Sequence, residues 1–371
     1  MTKTRCLALL LLLTVFARNA AAQNFDTETD TSKVRAVPTI QPAPSFPGGD
    51  LRTGQEGWVR INFIVNDEGR AIDPIIVDSV GGAPFETAAL NTLNEWRFEP
   101  AASGQEIGNN QIDMRFEIYR GRELATSNFM RRYRRIVTHL FNEETKEARY
   151  QTDQAVELGG WNLYESVMLN LMVGRVEGQE GDLAEKLEFY RRALRVASNA
   201  ALKGKDRRDV FSRIFEAEHS LGQYGSALQT AAALGAERDS KSDLEALQTR
   251  IDEIRSHIAG GSPVVARCQL ATACDCESGT ALSVYQPARQ QFSFANLEGE
   301  VRNFEVRCDA SRTGAPVETG KTYSLPADGE NCSVYVFGDD GASFDLIEAG
   351  NEPLPDDDAV SAVVHNRTGL R

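Results

Sequence analysis

The 371-residue sequence predicts an α+β multidomain protein with a ββαβ domain, a helical middle region and a small antiparallel β-sandwich at the carboxy end. Residues 23–120 and 264–371 are rich in Gly, Pro and β-branched residues, as strands and turns are. Residues 121–258 contain no Pro and are rich in Ala, Leu, Glu and Arg, which favours helices. This middle segment is balanced in charge, with 21 basic and 22 acidic residues, whereas both flanks are acidic.

The first 22 residues have the form of a removable secretory signal. Residues 1–5 are short and basic, 6–17 are a leucine-rich apolar run, and three alanines before Gln23 match a small-residue cleavage site. The apolar run is too short to span a bilayer of about 30 Å as a helix. We therefore expect an exported protein, or a membrane-anchored one if this segment is retained.

The first domain follows a polar lead-in at 23–37 and a proline-punctuated stretch. Apolar residues alternate over 57–66, where Val59, Ile61, Phe63 and Val65 share one face. A turn at 67–69 leads into a second strand over 70–79, giving a hairpin with one buried face. Apolar residues at helical spacing predict an amphipathic helix over 85–96, and strict alternation predicts a further strand over 111–119. The result is a small sheet with one helix packed on it.

Residues 38–120 also contain several short motifs in a defined order. They are Ser45-Phe46-Pro47, Glu56-Gly57-Trp58-Val59, Asp67-Glu68-Gly69, Phe85 with Ala88-Ala89-Leu90, and Trp96-Arg97-Phe98-Glu99-Pro100-Ala101. Together they resemble the carboxy-terminal domain of TonB-type energy transducers. The resemblance implies a periplasmic domain that binds an extended segment of an outer-membrane TonB-dependent transporter, or of another envelope protein, by adding it as a strand. It implies neither catalysis nor a cofactor.

Carried onto this sequence, the resemblance implies that the binding edge is the strand 111–117 together with a short aromatic segment before the first strand. The residues concerned are Phe46, Pro47, Gln111, Asp113, Arg115 and Glu117. The family usually has Tyr at the position of Phe46, so a hydroxyl contact is lost while the ring packing remains. Outward charges at 113, 115 and 117 disfavour pairing of this edge strand with a second copy of the protein, and this favours a specific partner.

Two departures from the family concern energy coupling. The amino terminus looks like a cleavable signal, and the proline-bearing stretch is only about 25 residues long, too short to cross a periplasm at roughly 3.1 Å per residue. The alternative function is therefore a structural or interaction scaffold of the cell envelope without energy transduction. Contact with inner-membrane motor proteins is expected only if the amino terminus is retained.

The helical region, 121–258, contains two segments of similar sequence, 181–194 and 222–234. Both resemble the turn and second helix of a tetratricopeptide hairpin, and we extend this assignment over 160–235. The two leading glycines are 41 residues apart, longer than the usual repeat of about 34. An irregular helical bundle is the alternative, and both predict a protein-binding or spacing role.

A basic run, Arg-Arg-Tyr-Arg-Arg, occupies 131–135. It invites a nucleic-acid or anionic-lipid site, but Glu123, Glu143 and Glu144 lie nearby and favour a solvated, salt-bridged helix face. The net charge of −14 independently disfavours binding to phosphate backbones. We therefore expect no nucleic-acid partner.

The last region contains five short segments that are typical of strands, at 291–297, 300–308, 321–325, 331–338 and 343–348. They predict a β-sandwich over 264–350. An acidic tail follows at 351–371. Cys308 and Cys332 share the parity of inward-facing neighbours, so we expect them to form a disulfide. Cys268 could pair with Cys274 or Cys276. A metal site there is disfavoured because no His is near and Cys-x-Cys is a poor tetrahedral pair.

Catalytic motifs are missing from the sequence. It has no nucleophile elbow, phosphate-cradling loop, zinc-protease helix or dinucleotide fingerprint, and its four histidines lie apart. The sequence therefore predicts a binding protein and not an enzyme.

Overall fold

The computed structural model of the chain describes residues 25–33, 35–48, 54–118, 125–198, 201–272, 281–327 and 329–350, and for 25–33 the backbone alone. The predicted signal 1–22 and the acidic tail 351–371 lie outside these residues, as do Cys274 and Cys276. Among the helices of the described ranges, none combines the length and apolarity needed to cross a membrane.

The first region is a four-stranded antiparallel sheet with one helix, and the predicted strand–strand–helix–strand order is present. Its elements are β1 Phe25–Lys33, β2 Pro38–Ile40, β3 Gly57–Val65, β4 Ala71–Val80, α1 Ala83–Glu95, β5 Arg97–Phe98 and β6 Ile107–Ile118. The sheet order is β1-β6-β3-β4, while β2 pairs with β5. Strand β1 falls in the segment predicted to be a polar lead-in.

Helix α1 forms because its apolar residues recur every three or four positions. Phe85, Ala89 and Leu93 lie on its buried face and pack on the inward residues of β3 and β6. Pro84 occupies the first turn, where its missing N–H costs nothing. The predicted inward residues of β3 are all buried, and so are the alternating apolar residues of β6, so the alternation located this core correctly. Those of β6 are Ile112, Met114, Phe116 and Ile118.

The opposite face of the sheet is buried as well, which corrects the expectation of a single buried face. Trp58 of β3 is fully buried and belongs to the core of the helical region, with Leu163 and Tyr190. Arg307, 1% exposed, donates from Nη1 to Oδ1 of Asn62 at 2.9 Å and so joins β3 to the sandwich. Alternation predicts that a strand has two faces, but it carries no information on which other regions cover them.

The middle region consists of seven helices within the described residues. They are α2 Ser127–Phe141, α3 Thr145–Leu158, α4 Leu163–Glu180, α5 Leu183–Val196, α6 Gly204–Ser220, α7 Tyr224–Ala236 and α8 Lys241–Ala259. Asn162 and Glu165 form a capping box at the start of α4, and Gly181 ends it in the left-handed conformation, at φ 92°.

Consecutive helices pack against one another along this region. A Cβ on Gly174 would lie 3.1 Å from the ring of Tyr190, so glycine permits the close approach of α4 and α5. The turns at Gly181 and Gly222 each lead into a helix, α5 and α7. The assignment of these hairpins as tetratricopeptide repeats stays a prediction.

Within the described residues, the last region contains nine strands in two sheets that share a core. They are β7 Val264–Gln269, β8 Ala271–Thr272, β9 Ala281–Tyr285, β10 Gln291–Glu298, β11 Val301–Arg307, β12 Arg312–Pro316, β13 Thr322–Ser324, β14 Ser333–Gly338 and β15 Ser343–Glu348. The sheet orders are β13-β10-β15-β7 and β12-β11-β14-β9-β8. Phe292 and Phe294 of one sheet meet Phe304 of the other, with ring centroids 5.5 and 5.3 Å apart.

The predicted disulfide between Cys308 and Cys332 is present, and both cysteines are buried in this shared core. Cys268 is a free, buried thiol, so the considered pairing of Cys268 with Cys274 or Cys276 is not formed. Burial raises the pKa of the Cys268 thiol to about 12, which keeps it protonated and unreactive at neutral pH.

Candidate functional site

Strand β6 contains the predicted binding edge, but in the structure it is paired on both sides. Arg115 lies opposite Trp58 of β3 on one side and opposite Glu28 of β1 on the other. The β1 register runs antiparallel from Phe25 opposite Ile118 to Lys33 opposite Gln111. The expectation of a free edge at 111–117 is therefore wrong, because the chain places its own strand there.

Strand β1 is the outermost strand on this side of the sheet, and it pairs only with β6 within the described residues. Its sequence, FDTETDTSK, contains one large apolar residue, Phe25. The register shifts between Asp30 and Lys33, which marks a bulge near the end of the strand. The strand is thus attached through a main-chain ladder with one partner, whereas β6 and β3 each have two.

The chain just after β1 is fixed by Asn110, a fully buried residue of β6. Its Oδ1 accepts hydrogen bonds from the backbone N–H of Arg35, at 2.9 Å, and of Ala36, at 3.1 Å. Its Nδ2 donates to the carbonyl of Ile107 at 2.7 Å. Ala36 is itself part of the core under the sheet. The anchor of this segment therefore lies at Arg35 and Ala36, beyond the end of the strand.

The outward side chains of β6 are committed to other parts of the protein. Arg60 contacts both carboxylate oxygens of Asp113, at 2.6 and 2.5 Å, and both side chains are mostly buried. Arg115 donates from Nη1 to the carbonyl of Val196 at 2.6 Å and pairs with Glu117. These charges do not project from an open edge, as predicted: Asp113 is paired within the sheet, and Arg115 joins the sheet to the helical region.

The aromatic segment before β3 packs on the core next to β6. The ring of Phe46 lies edge-to-face on Phe85 and Phe116, with centroids 5.7 and 6.0 Å apart. Pro47 is half-buried beside it. Since Phe116 lies opposite Thr27 of β1, Phe46 is close to the position where β1 pairs. The structure thus brings Phe46 and Pro47 near the predicted strand.

The opposite edge of the sheet is strand β4, and it is closed by side chains. Asp78, 2% exposed, accepts hydrogen bonds from Arg192, at 2.8 Å, and from Arg195, at 3.1 Å, both on α5. Asp73 pairs with Arg312 of the sandwich. Pro74 lies between them and has no N–H to donate to an added strand. This edge is therefore tied to two other regions and is poorly suited to strand addition.

The sequence motifs include Glu56 but did not predict its role, which is to link the end of β6 to the helical region. Its Oε1 accepts from the backbone N–H of Ile118 and its Oε2 from that of Leu163, each at 2.9 Å. No local pattern predicts these contacts or those of Asn110, because the partners are distant in sequence. Among the described residues, no group of His, Cys, Asp and Glu is arranged to hold a metal ion.

Comparisons with known proteins locate a family resemblance in the first region. A family model for the Gram-negative bacterial TonB protein C-terminal matches residues 42–118. Protein TonB of Pseudomonas aeruginosa is 32% identical over 73 residues, 20% of this chain and 21% of that protein. This chain therefore spans about a fifth of the length of that relative. The match at 42–118 includes β3, β4, α1, β5 and β6 but leaves β1 outside.

Among solved structures, the solution NMR structure of the Pseudomonas aeruginosa TonB CTD aligns with this chain at 30% sequence identity. The alignment covers 23% of this chain and 88% of that chain, with a TM-score of 0.20.

Proposed function

From the premise that residues 42–118 are a TonB C-terminal domain, we propose that this protein binds segments of outer-membrane TonB-dependent transporters by strand addition to β6. The partner strand takes the position that β1 occupies in the structure. The protein works in the periplasm, in support of TonB-dependent transport, and it is not an enzyme. Coupling to an inner-membrane motor requires that the amino-terminal segment is retained.

The observation that carries the proposal is the presence of an antiparallel strand along β6 from outside the matched family segment. Within 42–118 the sheet order is β6-β3-β4, so β6 is an edge strand of the family domain itself. In this chain β1 supplies the missing neighbour over most of the length of β6. The position therefore accepts an extended segment, which is what a transporter peptide would present.

Strand β1 is suited to exchange for a partner. It is polar in sequence and pairs on one side only within the described residues, so its release opens a single main-chain ladder. Asn110 and the buried Ala36 keep the following chain in place when β1 leaves. The exchange trades one main-chain ladder for another, so its free energy depends on what the partner's side chains add.

The predicted site residues take distinct parts in this proposal. The backbone groups of Gln111, Asp113, Arg115 and Glu117 pair with the partner, while the side chains of Asp113 and Arg115 stay in their existing contacts. Phe46 packs on Phe116 near the carboxy end of β6, and with the half-buried Pro47 that follows it offers an apolar surface to the partner's side chains. Specificity then comes from this end of the strand, and affinity from the main chain.

The proposal is tested by releasing β1 and measuring peptide binding. In an antiparallel edge strand, alternate residues direct their N–H toward the neighbouring strand, so replacing two adjacent residues by Pro removes at least one ladder donor. Glu28→Pro with Thr29→Pro does this in the paired part of β1. The matched control is Thr31→Pro with Ser32→Pro, within the bulge, where neither residue is paired in the register.

The probes are fluorescent synthetic peptides with the sequences of the periplasmic amino-terminal segments of the host's TonB-dependent transporters. Fluorescence anisotropy should show saturable binding to the wild type and about tenfold tighter binding to the Glu28/Thr29 variant, because less of the protein has its site occupied. The bulge control should bind like the wild type. Equal affinity for all three proteins would refute exchange with β1, and no binding by any of them would refute the proposed function.

A further inference from the structure

Helix α2 carries three arginines on one exposed face. Arg131, Arg134 and Arg135 are exposed, and their spacing of three and four residues places them side by side. None of them has an ion pair or a side-chain hydrogen bond with any residue that the structure describes. Glu144, one of the expected partners, pairs with His139 instead.

The prediction of a salt-bridged face is thus wrong for the described residues, although the arginines are solvated as expected. Glu143 makes no ion pair with them, and Glu123 lies outside the described residues. Unpaired arginines are not the rule in this protein. On α5, Arg191 pairs with Glu188 and Glu218. Arg192 and Arg195 of the same helix both bind Asp78.

The basic face is held on a rigid base. Phe129, Ile136 and Leu140 of α2 are buried against α3 and α4. Glu165 of α4 accepts a hydrogen bond from the backbone N–H of Thr126, which caps α2, at 2.6 Å. The arginines therefore project from a helix whose other side is fixed, and a binding partner would not have to order it.

Two apolar side chains lie along the same exposed side. Val137 and Phe141 follow Arg134 at spacings of three and seven residues, and Phe141 is 86% exposed at the end of the helix. The face thus combines three cationic groups with an exposed apolar side chain at one end.

We propose that this face of α2, formed by Arg131, Arg134, Arg135 and Phe141, binds the anionic phospholipid surface of a membrane. The occupant must be anionic, because the three arginines have no acidic partner among the residues that the structure describes, although the chain as a whole carries −14. The planar guanidinium group matches phosphate oxygens well. An exposed helix face is convex and meets a flat lipid surface without the groove that an acidic peptide would need. Phe141 then enters the boundary between headgroups and acyl chains.

The test is vesicle flotation of the full chain as its host produces it. The vesicles contain phosphatidylcholine alone or phosphatidylcholine mixed with phosphatidylglycerol. The main variant is R131Q/R134Q/R135Q, and the matched control, K241Q/R250Q/R255Q, removes three positive charges from the exposed side of α8. Phe141→Ser tests the apolar part separately, and all the changed residues are exposed, so the fold should be preserved.

Wild type and control should float with phosphatidylglycerol vesicles and be released by salt. The triple arginine variant should partition about 100-fold more weakly, since each arginine near an anionic surface contributes about fivefold. Phe141→Ser should weaken partitioning by about tenfold. Equal flotation of the arginine variant and the control would overturn the proposal, as would equal binding to both vesicle types. Salt-sensitive binding to polyglutamate without flotation would assign the face to an acidic protein instead.

Discussion

Strands β1 and β4 flank the same sheet, yet they are held by different kinds of interaction. Strand β4 is fastened by side chains: Asp78 binds two arginines of α5, and Asp73 reaches Arg312 of the sandwich. Strand β1 is attached by a main-chain ladder to β6. The chain just after β1 is anchored by the side chain of Asn110, a residue of β6. A ladder can be replaced by any extended segment, whereas the Asp78 contacts require these particular partners. The difference explains why we assign partner binding to one edge only.

The largest effect is expected from removing the carboxylate that closes β4. Asp78→Ala leaves Arg192 and Arg195 without their buried partner, and we expect it to lower the free energy of unfolding by about 3 kcal/mol in urea denaturation. The control is Glu106→Ala, which removes a partly exposed partner of Arg312 and should cost less than about 1 kcal/mol. Equal costs for the two variants would mean that Asp78 does not hold this edge.

A smaller loss of stability is expected from Asn110→Ala. The substitution removes the acceptor of the Arg35 and Ala36 N–H groups, and leaving buried donors unpaired should cost about 2 kcal/mol. It should also speed amide exchange in 25–33 while leaving 71–80 unchanged, as measured by hydrogen exchange with mass spectrometry. Asn170→Ala, which removes a hydrogen bond within α4, is the control and should leave both segments unchanged. Unaltered exchange in 25–33 would show that Asn110 is not the anchor of β1.

The smallest difference concerns the wild-type protein itself. Amides of β1 should exchange at least about tenfold faster than those of β4, because opening β4 breaks the ion pairs of Asp73 and Asp78 in addition to its main-chain ladder. Strand β14, which is paired on both sides in the sandwich, provides the internal reference for slow exchange. Equal protection of β1 and β4 would remove the distinction between the two edges.

Much of the fold could be predicted from the periodicity of the sequence, but the pairing of β1 with the edge of β6 could not. Val59, Ile61 and Phe63 alternate with polar residues, so the hydrophobic pattern predicted their strand and its inward face. Residues 25–33 have no such pattern, because β1 is specified by the backbone groups of β6 and not by an apolar face of its own. The parity of Cys308 and Cys332 sufficed for the disulfide, since a strand admits only two directions for a side chain.

The site was predicted in position but not in its surroundings. Alternation identified Asp113 and Arg115 as outward residues of β6. Such a pattern does not distinguish a face that is exposed to solvent from one that is covered by other parts of the protein. Their partners, Arg60 and the carbonyl of Val196, are 53 and 81 residues away. The first contact follows from the register of β3 with β6 and the second from the packing of the helical region on the sheet, and no local motif encodes either one.

The most direct test of strand exchange is to lock β1 onto β6. Asp26 lies opposite Glu117, so Asp26→Cys with Glu117→Cys places two cysteines on the same side of adjacent strands. Binding of the transporter peptides is then measured by anisotropy in the oxidised and the reduced protein, and the single Glu117→Cys variant controls for the effect of the reductant. We predict no binding to the oxidised form and wild-type affinity after reduction. Undiminished binding to the locked protein would contradict strand addition at β6.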